Sequence, residues 1–152
     1  MTLTRSLVSW LILLVVAVLN GATRDLVYAP SLGPHLANQV SCFTGIAFFA
    51  VAIWILLSKW PIAPGISPWR IGGLWFLLTV VFEFSLGAAS GRTWASMLAD
   101  YEIGNGRLWP VVLAWVLVAP YAITGARRKF TDGRENGARQ ISSISRPGGG
   151  RA

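Results

Sequence analysis

The chain has 152 residues, of which 54% are hydrophobic and only 12% are charged, and it carries eight tryptophans. Soluble domains are about one quarter charged, so this composition excludes an ordinary water-soluble globule, and the length permits one compact bundle. The net charge of +7 is concentrated beyond residue 126, where seven basic side chains meet two acidic ones, which argues against nucleic acid as a partner of the body of the protein.

Four apolar stretches follow one another at 7–21, 40–58, 71–89 and 108–124. A bilayer core needs roughly 20 residues of helix, with a range near 17 to 25. The middle pair fit directly, and extending the outer pair to Thr4 and Ala126 brings them into range. Pro30 and Pro34 precede the second stretch, Pro61, Pro64 and Pro68 separate the second from the third, and Gly104 and Gly106 precede the fourth. The sequence therefore predicts an all-α, integral membrane four-helix bundle over 1–126, with spans at about 4–23, 38–58, 70–89 and 108–126.

The first stretch also admits a rival reading. Arg5 before a short apolar run is the pattern of a secretory signal peptide, but Asn20 would stand three residues before a cut after Ala22, where a small residue is wanted. For a four-span chain, Lys and Arg near the span ends set the orientation. Arg5, Lys59, Arg70 and the Arg127-Arg128-Lys129 cluster fall on one side, against Arg24, Arg92 and Arg107 on the other. Both termini are expected in the cytoplasm.

Glu83 lies within the third stretch, between Phe82 and Phe84. A carboxylate facing lipid costs roughly 2.5 kcal/mol or more, so it must face protein or water. Thirteen residues after Arg70, it stands about 20 Å from the cytoplasmic end, in the outer half of the membrane. The expectation is a buried Glu83 paired with Arg24 or Arg107 ahead of Arg92.

Helical spacing gathers further polar residues on single faces. Asn20 and Arg24 are four apart, His35, Asn38, Gln39 and Cys42 recur at three- and four-residue steps toward Gly45, and Gly72, Thr79, Glu83, Gly87 and Ser90 make a stripe on the third span. Small and polar residues of this kind suit contacts between membrane helices, and the stripes are expected to face one another. The segment 92–107 places Trp94, Met97, Leu98 and Tyr101 at i, i+3, i+4 and i+7, which predicts a short amphipathic helix in the outer interface that stops at Gly104. The tryptophans gather near span ends, where amphipathic rings anchor a chain at the headgroups.

The candidate polar network or binding set is thus Asn20, Arg24, His35, Gln39, Glu83, Arg92, Asp100 and Arg107. Asp100 and Glu102 are two apart and would point to different sides of a helix, so they form no acid–base pair. With Cys42 the single cysteine and His35 the single histidine, neither an intrachain disulfide nor the usual zinc ligand set is available. A haem held by two histidines would need a second chain, and no metal or cofactor is expected. The tail 127–152, rich in Gly, Ser, Arg and Asn, reads as disordered and cytoplasmic, with its basic start able to touch anionic lipid.

The pattern Leu19-Asn20-Gly21 with Arg24, Pro30, Gly33 and Gln39, then Gly73-Leu74-Trp75, Thr79 and Phe82-Glu83, then Gly91, Trp94, Leu98, Asp100-Tyr101 and Gly106-Arg107-Leu108 resembles a family of small bacterial four-span inner-membrane proteins of unassigned function. The resemblance covers most of 5–126. It implies a four-span bundle and adds weight to Asn20, Arg24, Gln39, Glu83, Asp100 and Arg107 as a set, while implying no activity.

No nucleophile–base set, metal-ligand cluster or phosphate loop stands out, so the first expectation is a non-enzymatic accessory or assembly subunit whose Glu83 network fixes the bundle. Its partners would be the lipid bilayer and a membrane protein complex or a homo-oligomer. The alternatives are a lipid-headgroup binding or lipid-modifying site at the outer interface, and a small oligomeric carrier or channel. A water-filled cavity reaching Glu83 favours the alternatives, and a dry, packed Glu83 favours the first.

Overall fold

The computed structural model describes residues 1–102 and 107–144, with the backbone alone for 132 and 135–144. Its regular structure is helical, with no strand among the described residues. Helix α1, Leu3–Thr23, starts at Thr2, whose hydroxyl accepts from the Arg5 N–H. Its 21 residues amount to about 30 Å. It passes into a π-helical turn, Arg24–Tyr28, closed by the Ala29 N–H on the Arg24 carbonyl, and then into α2, Ala29–Lys59, which is broken at Gly33 (φ 75°, ψ 161°) just before Pro34.

That conformation is essentially restricted to glycine, and Pro34 brings no N–H to continue the ladder. The chain doubles back there. Beyond the break α2 descends beside α1, so that the Asn20 amide near the end of α1 reaches the Ser41 carbonyl at 2.8 Å, and the Met1 amino group reaches the Pro61 carbonyl at 2.6 Å. Helix α3 is Pro68–Ala89, with proline in its first turn. The short α4, Trp94–Ala99, is capped by the Thr93 hydroxyl, and α5, Trp109–Ile144, returns along α3.

Three helical stretches are long and apolar enough to cross a membrane: Leu3–Lys59, folded on itself at Gly33, Pro68–Ala89 and Trp109–Thr131. Their outward-facing surface is far more apolar than that of a water-soluble bundle. Ser6 and Ser9 are fully buried, while Val15, Val18, Leu19, Phe43, Val51 and Leu77 are each more than half exposed. Water would demand the opposite, whereas lipid accepts the apolar side chains and forces the polar ones inward. The chain is an all-helical, multi-pass membrane protein.

The packed core occupies the half of the bundle nearest the 60–67 turn. Ile53 and Trp75 have no exposed surface, with Leu57, Ile71, Val116, Ala119 and Ile123 around them. The Trp75 indole N–H donates to the Ser6 carbonyl at 2.9 Å, and the Trp10 indole donates to Thr79 at 3.2 Å. Each ring thus ties α1 to α3. The polar stripe of α3 does not meet a single partner stripe: Gly72 lies against α5, Thr79 against α1, and Gly87 against Met97 of α4. The first and second stripes do meet, since Asn20 also accepts from the Thr44 hydroxyl and lies against Gly45.

Helix α5 runs on through residues 127–144, the stretch whose composition predicts disorder. No proline interrupts the chain between Pro120 and Pro147, and a helix already nucleated in the apolar segment extends with little further cost per residue. Residues 145–152 lie outside the described residues, as does Gly104, the expected stop of the short helix, which ends at Ala99.

Gly72 marks the closest approach of α3 to α5. A Cβ there would stand 2.0 Å from the Leu117 carbonyl oxygen, whereas one on Gly73 would meet open space. Gly72→Ala should therefore lower the melting temperature in detergent by an amount corresponding to about 1–3 kcal/mol or more, and Gly73→Ala should leave it essentially unchanged. Parallel thermal melts of the two variants test whether this crossing sets the packing.

Candidate functional site

At the opposite end from the core the helices part around a cavity of about 760 Å³. Three arginines and three carboxylates line it: Arg24, Arg92 and Arg107, with Asp25, Glu83 and Asp100. Each comes from a different local device. The π-helical turn at the end of α1 carries Arg24 and Asp25, which pair with each other at 2.8 Å. The Gly33 break brings His35 and Asn38 to the wall, at the start of the descending part of α2. Glu83 projects from the last third of α3, and Arg92, Asp100 and Arg107 lie on the connection that includes α4.

The expected pairing of Glu83 with an arginine is not what forms. Among the described residues, the donors to Glu83 are the Tyr101 hydroxyl and the Trp109 indole N–H, both 2.8 Å from Oε2. Arg24 is taken by its neighbour Asp25. Arg92 and Arg107 converge on Asp100 instead, Arg92 at 2.6 Å, with Arg107 bonded to the other carboxylate oxygen. Glu83 is also only partly buried, because it opens on the cavity. The reason is local. Asp100 stands between the two arginines in the chain, on the same connection, whereas Glu83 lies on a helix whose facing neighbours, Tyr101 and Trp109, carry neutral donors.

The rest of the candidate set divides. Arg24, His35, Glu83, Arg92, Asp100 and Arg107 share the cavity. Gln39 stands one turn along from His35, with Nε2 of each 3.3 Å apart. Asn20 is not in the cavity wall. It sits below, bonded to Ser41 and Thr44, and joins α1 to α2. Sequence reasoning missed Tyr101 and Trp109 as the carboxylate's partners, having read Tyr101 as part of the short amphipathic helix and Trp109 as a headgroup anchor. The available signal was that Tyr and Trp carry a polar tip that seeks a partner when buried, and that both flank the connection above Glu83.

Aromatic stacking fixes this connection. Phe84 stacks on Trp94 and on Tyr101 at centroid distances of 5.7 and 5.8 Å, while Phe82 meets Trp10 edge-on at 6.2 Å. The two phenylalanines that flank Glu83 thus hold α4 on one side and α1 on the other. Arg92 also bonds the Ser96 carbonyl and hydroxyl, bracing α4 against the end of α3. The Tyr101 phenol is pushed well above the ordinary tyrosine range, by burial first, then by its hydrogen bond to Glu83 and by that group's negative charge. It therefore stays a donor wherever Glu83 is a carboxylate.

Chemically the cavity offers fixed charge of both signs and hydrogen-bond donors. No group of three or more His, Cys, Asp or Glu side chains placed to hold a metal ion occurs among the described residues. Comparisons with known proteins agree with a membrane chain and go little further. No family model matches, and no solved structure matches. A stretch of 69 residues is 36% identical to the heme A synthase of Caulobacter vibrioides, covering 43% of this chain and 20% of that protein. The chain thus spans about a fifth of that relative, and the likeness is to a part of it only.

Because the folded phenol ionises above the value of about 10 found in free tyrosine, the Tyr101–Glu83 bond contributes stability that is complete below that pH and is lost as pH rises through the raised value. Tyr101→Phe should cost about 1–3 kcal/mol at neutral pH. In an alkaline absorbance titration of the folded protein, the difference between wild type and variant should appear only above the ordinary tyrosine range. A difference signal centred near pH 10 would contradict the assigned bond.

Proposed function

We propose that this is a four-span protein of the bacterial inner membrane, with both termini in the cytoplasm, whose cavity opens at the outer face and binds the polar headgroup of a lipid-like molecule. The observation that carries this reading is the cavity reaching Glu83. Its volume of about 760 Å³ falls within the roughly 300–1,000 Å³ of small-molecule sites. The accessory-subunit expectation rests on a dry, packed Glu83, and a carboxylate that opens on a charged cavity weakens it.

Placement supports a lipid source for the ligand. The cavity wall is built at span ends and on the short α4, whose Trp94 and Leu98 are largely exposed, as suits an element lying at headgroup depth. Arginine favours planar, bidentate recognition of phosphate, and Arg24, Arg92 and Arg107 all border the space. Below it the bundle is filled by Trp75, Ile53 and their neighbours, which supports a blind site over a channel through one chain. Both Asp100 oxygens are engaged by guanidinium groups, which leaves it poorly disposed as a general base and favours binding over lipid modification. The partial likeness to a heme A synthase covers a fifth of that protein, and with His35 the single histidine a haem held by two histidines would need a second chain.

Two measurements test this reading. With Cys42 replaced, a cysteine at position 28 should react with an impermeant reagent added outside intact cells and one at position 64 should not; the reverse would overturn the orientation. For the purified chain in phosphate-free detergent, added phospholipid should raise the melting temperature, by about 2.7 kcal/mol of stabilisation at a hundredfold excess over the dissociation constant. The double variant Arg92→Gln, Arg107→Gln should lose most of that shift. An absent shift in the wild type, or an unchanged one in the variant, would reject the headgroup site.

A further inference from the structure

Apart from the Arg24–Asp25 ion pair, which satisfies itself, the cavity holds its charges in two separate poles. Arg92 and Arg107 converge on the single carboxylate of Asp100, so this trio is positive. Glu83 receives only neutral donors among the described residues, the Tyr101 hydroxyl and the Trp109 indole. Both donate to Oε2, and Oε1 accepts from no described residue. Among the described residues the carboxyl group is therefore oriented without a cation in contact.

The poles are also neighbours. Tyr101 follows Asp100 directly and Trp109 stands two residues after Arg107, so their Cα atoms lie within about 8 Å of those of these members of the positive trio, and Glu83, Trp109, Arg92, Asp100 and Arg107 line the same cavity. The complement of such a pair is a molecule with an anion and a cation a few bonds apart. The aromatic groups bear on the kind of cation. Tyr101 and Trp109 turn their polar edges to the carboxylate, and one face of Tyr101 is covered by Phe84. A quaternary ammonium is held by open aromatic faces, whereas a primary ammonium can donate to the Oε1 oxygen.

We propose that the ligand is a zwitterion of the phosphoethanolamine type, its phosphate on Arg92 and Arg107 and its primary ammonium on Glu83. This deepens the headgroup reading above and rests on it. The same chemistry occurs in a membrane lipid and in a free water-soluble ester, and the geometry accommodates either.

The test uses the full chain in phosphate-free detergent and measures dissociation constants for phosphatidylethanolamine, phosphatidylcholine and phosphatidylglycerol of identical acyl composition. A charged hydrogen bond made to one lipid and not to the others should favour phosphatidylethanolamine by about tenfold or more. Glu83→Gln should abolish that preference, because the neutral amide offers the ammonium no charged acceptor. Competition by glycerophosphoethanolamine at comparable affinity would assign the site to the soluble ester, and failure to compete would assign it to the lipid. Equal binding of the three lipids by the wild type would overturn the zwitterion and leave the headgroup site standing, and no binding of any would overturn both. A preference that survives Glu83→Gln would overturn the role of Glu83. The comparison of ethanolamine with choline lipid on the wild type needs no substitution, so it decides the matter even if the variant does not fold.

Discussion

A bilayer offers no hydrogen-bonding partner to a helix, so polar side chains on a spanning segment are driven to find one inside the protein or in a water-filled space that the protein encloses, and among the described buried ones only Ser6 Oγ and Trp115 Nε1 go without. The rest of this structure depends on how that demand is met. Ser9 returns its hydroxyl to its own helix, on the Arg5 carbonyl. Trp10, Asn20 and Trp75 reach across to Thr79, Ser41 and Ser6 and so lock α1 to its two neighbours. Glu83 meets the same demand partly with Tyr101 and Trp109 and partly by opening on a cavity.

The consequence is a bundle with two unlike halves. Near the 60–67 turn the helices are drawn together, with the Gly72 backbone against Leu117 of α5 and Trp75 fully enclosed. Close approach of this kind replaces the hydrophobic effect, which gives membrane helices little reason to associate. Toward the other end, the π-helical turn and the Gly33 break consume residues that a tight hairpin would not need. They carry Arg24, Asp25 and His35 around the mouth of the cavity. Irregular backbone of this kind is tolerated at membrane depth where it lines a cavity, and π-helical insertions occur often at functional sites.

The pairing of charges follows a rule of proximity along the chain. Arg24 takes the adjacent Asp25, and Arg92 and Arg107 take Asp100, which lies between them in sequence. Short loops between elements fix such partners at small entropic cost, whereas a pair across the bundle needs two helices in register. Glu83 is left with neutral donors for that reason. A carboxylate oriented by neutral donors and open to a cavity keeps its charge available to a ligand, which a direct arginine partner would have taken up.

The sequence by itself determined the class of protein. Low charge, apolar runs of membrane-spanning length and proline-marked turns dictate an all-helical chain in lipid, because those properties depend on each segment's own transfer and backbone energetics. It also grouped Asn20, Arg24, His35, Gln39, Glu83, Arg92, Asp100 and Arg107 as one polar set, since polar and charged groups at membrane depth turn inward whatever their partner. Only the tertiary structure decided who pairs with whom, that Asn20 serves the α1–α2 contact and not the cavity, and that Tyr101 and Trp109 hold Glu83. Those outcomes depend on helix rotation and on the path of the α4 connection, which are set by contacts among distant residues such as Gly72 with Leu117 and Phe84 with Tyr101, and no local pattern in the chain encodes them.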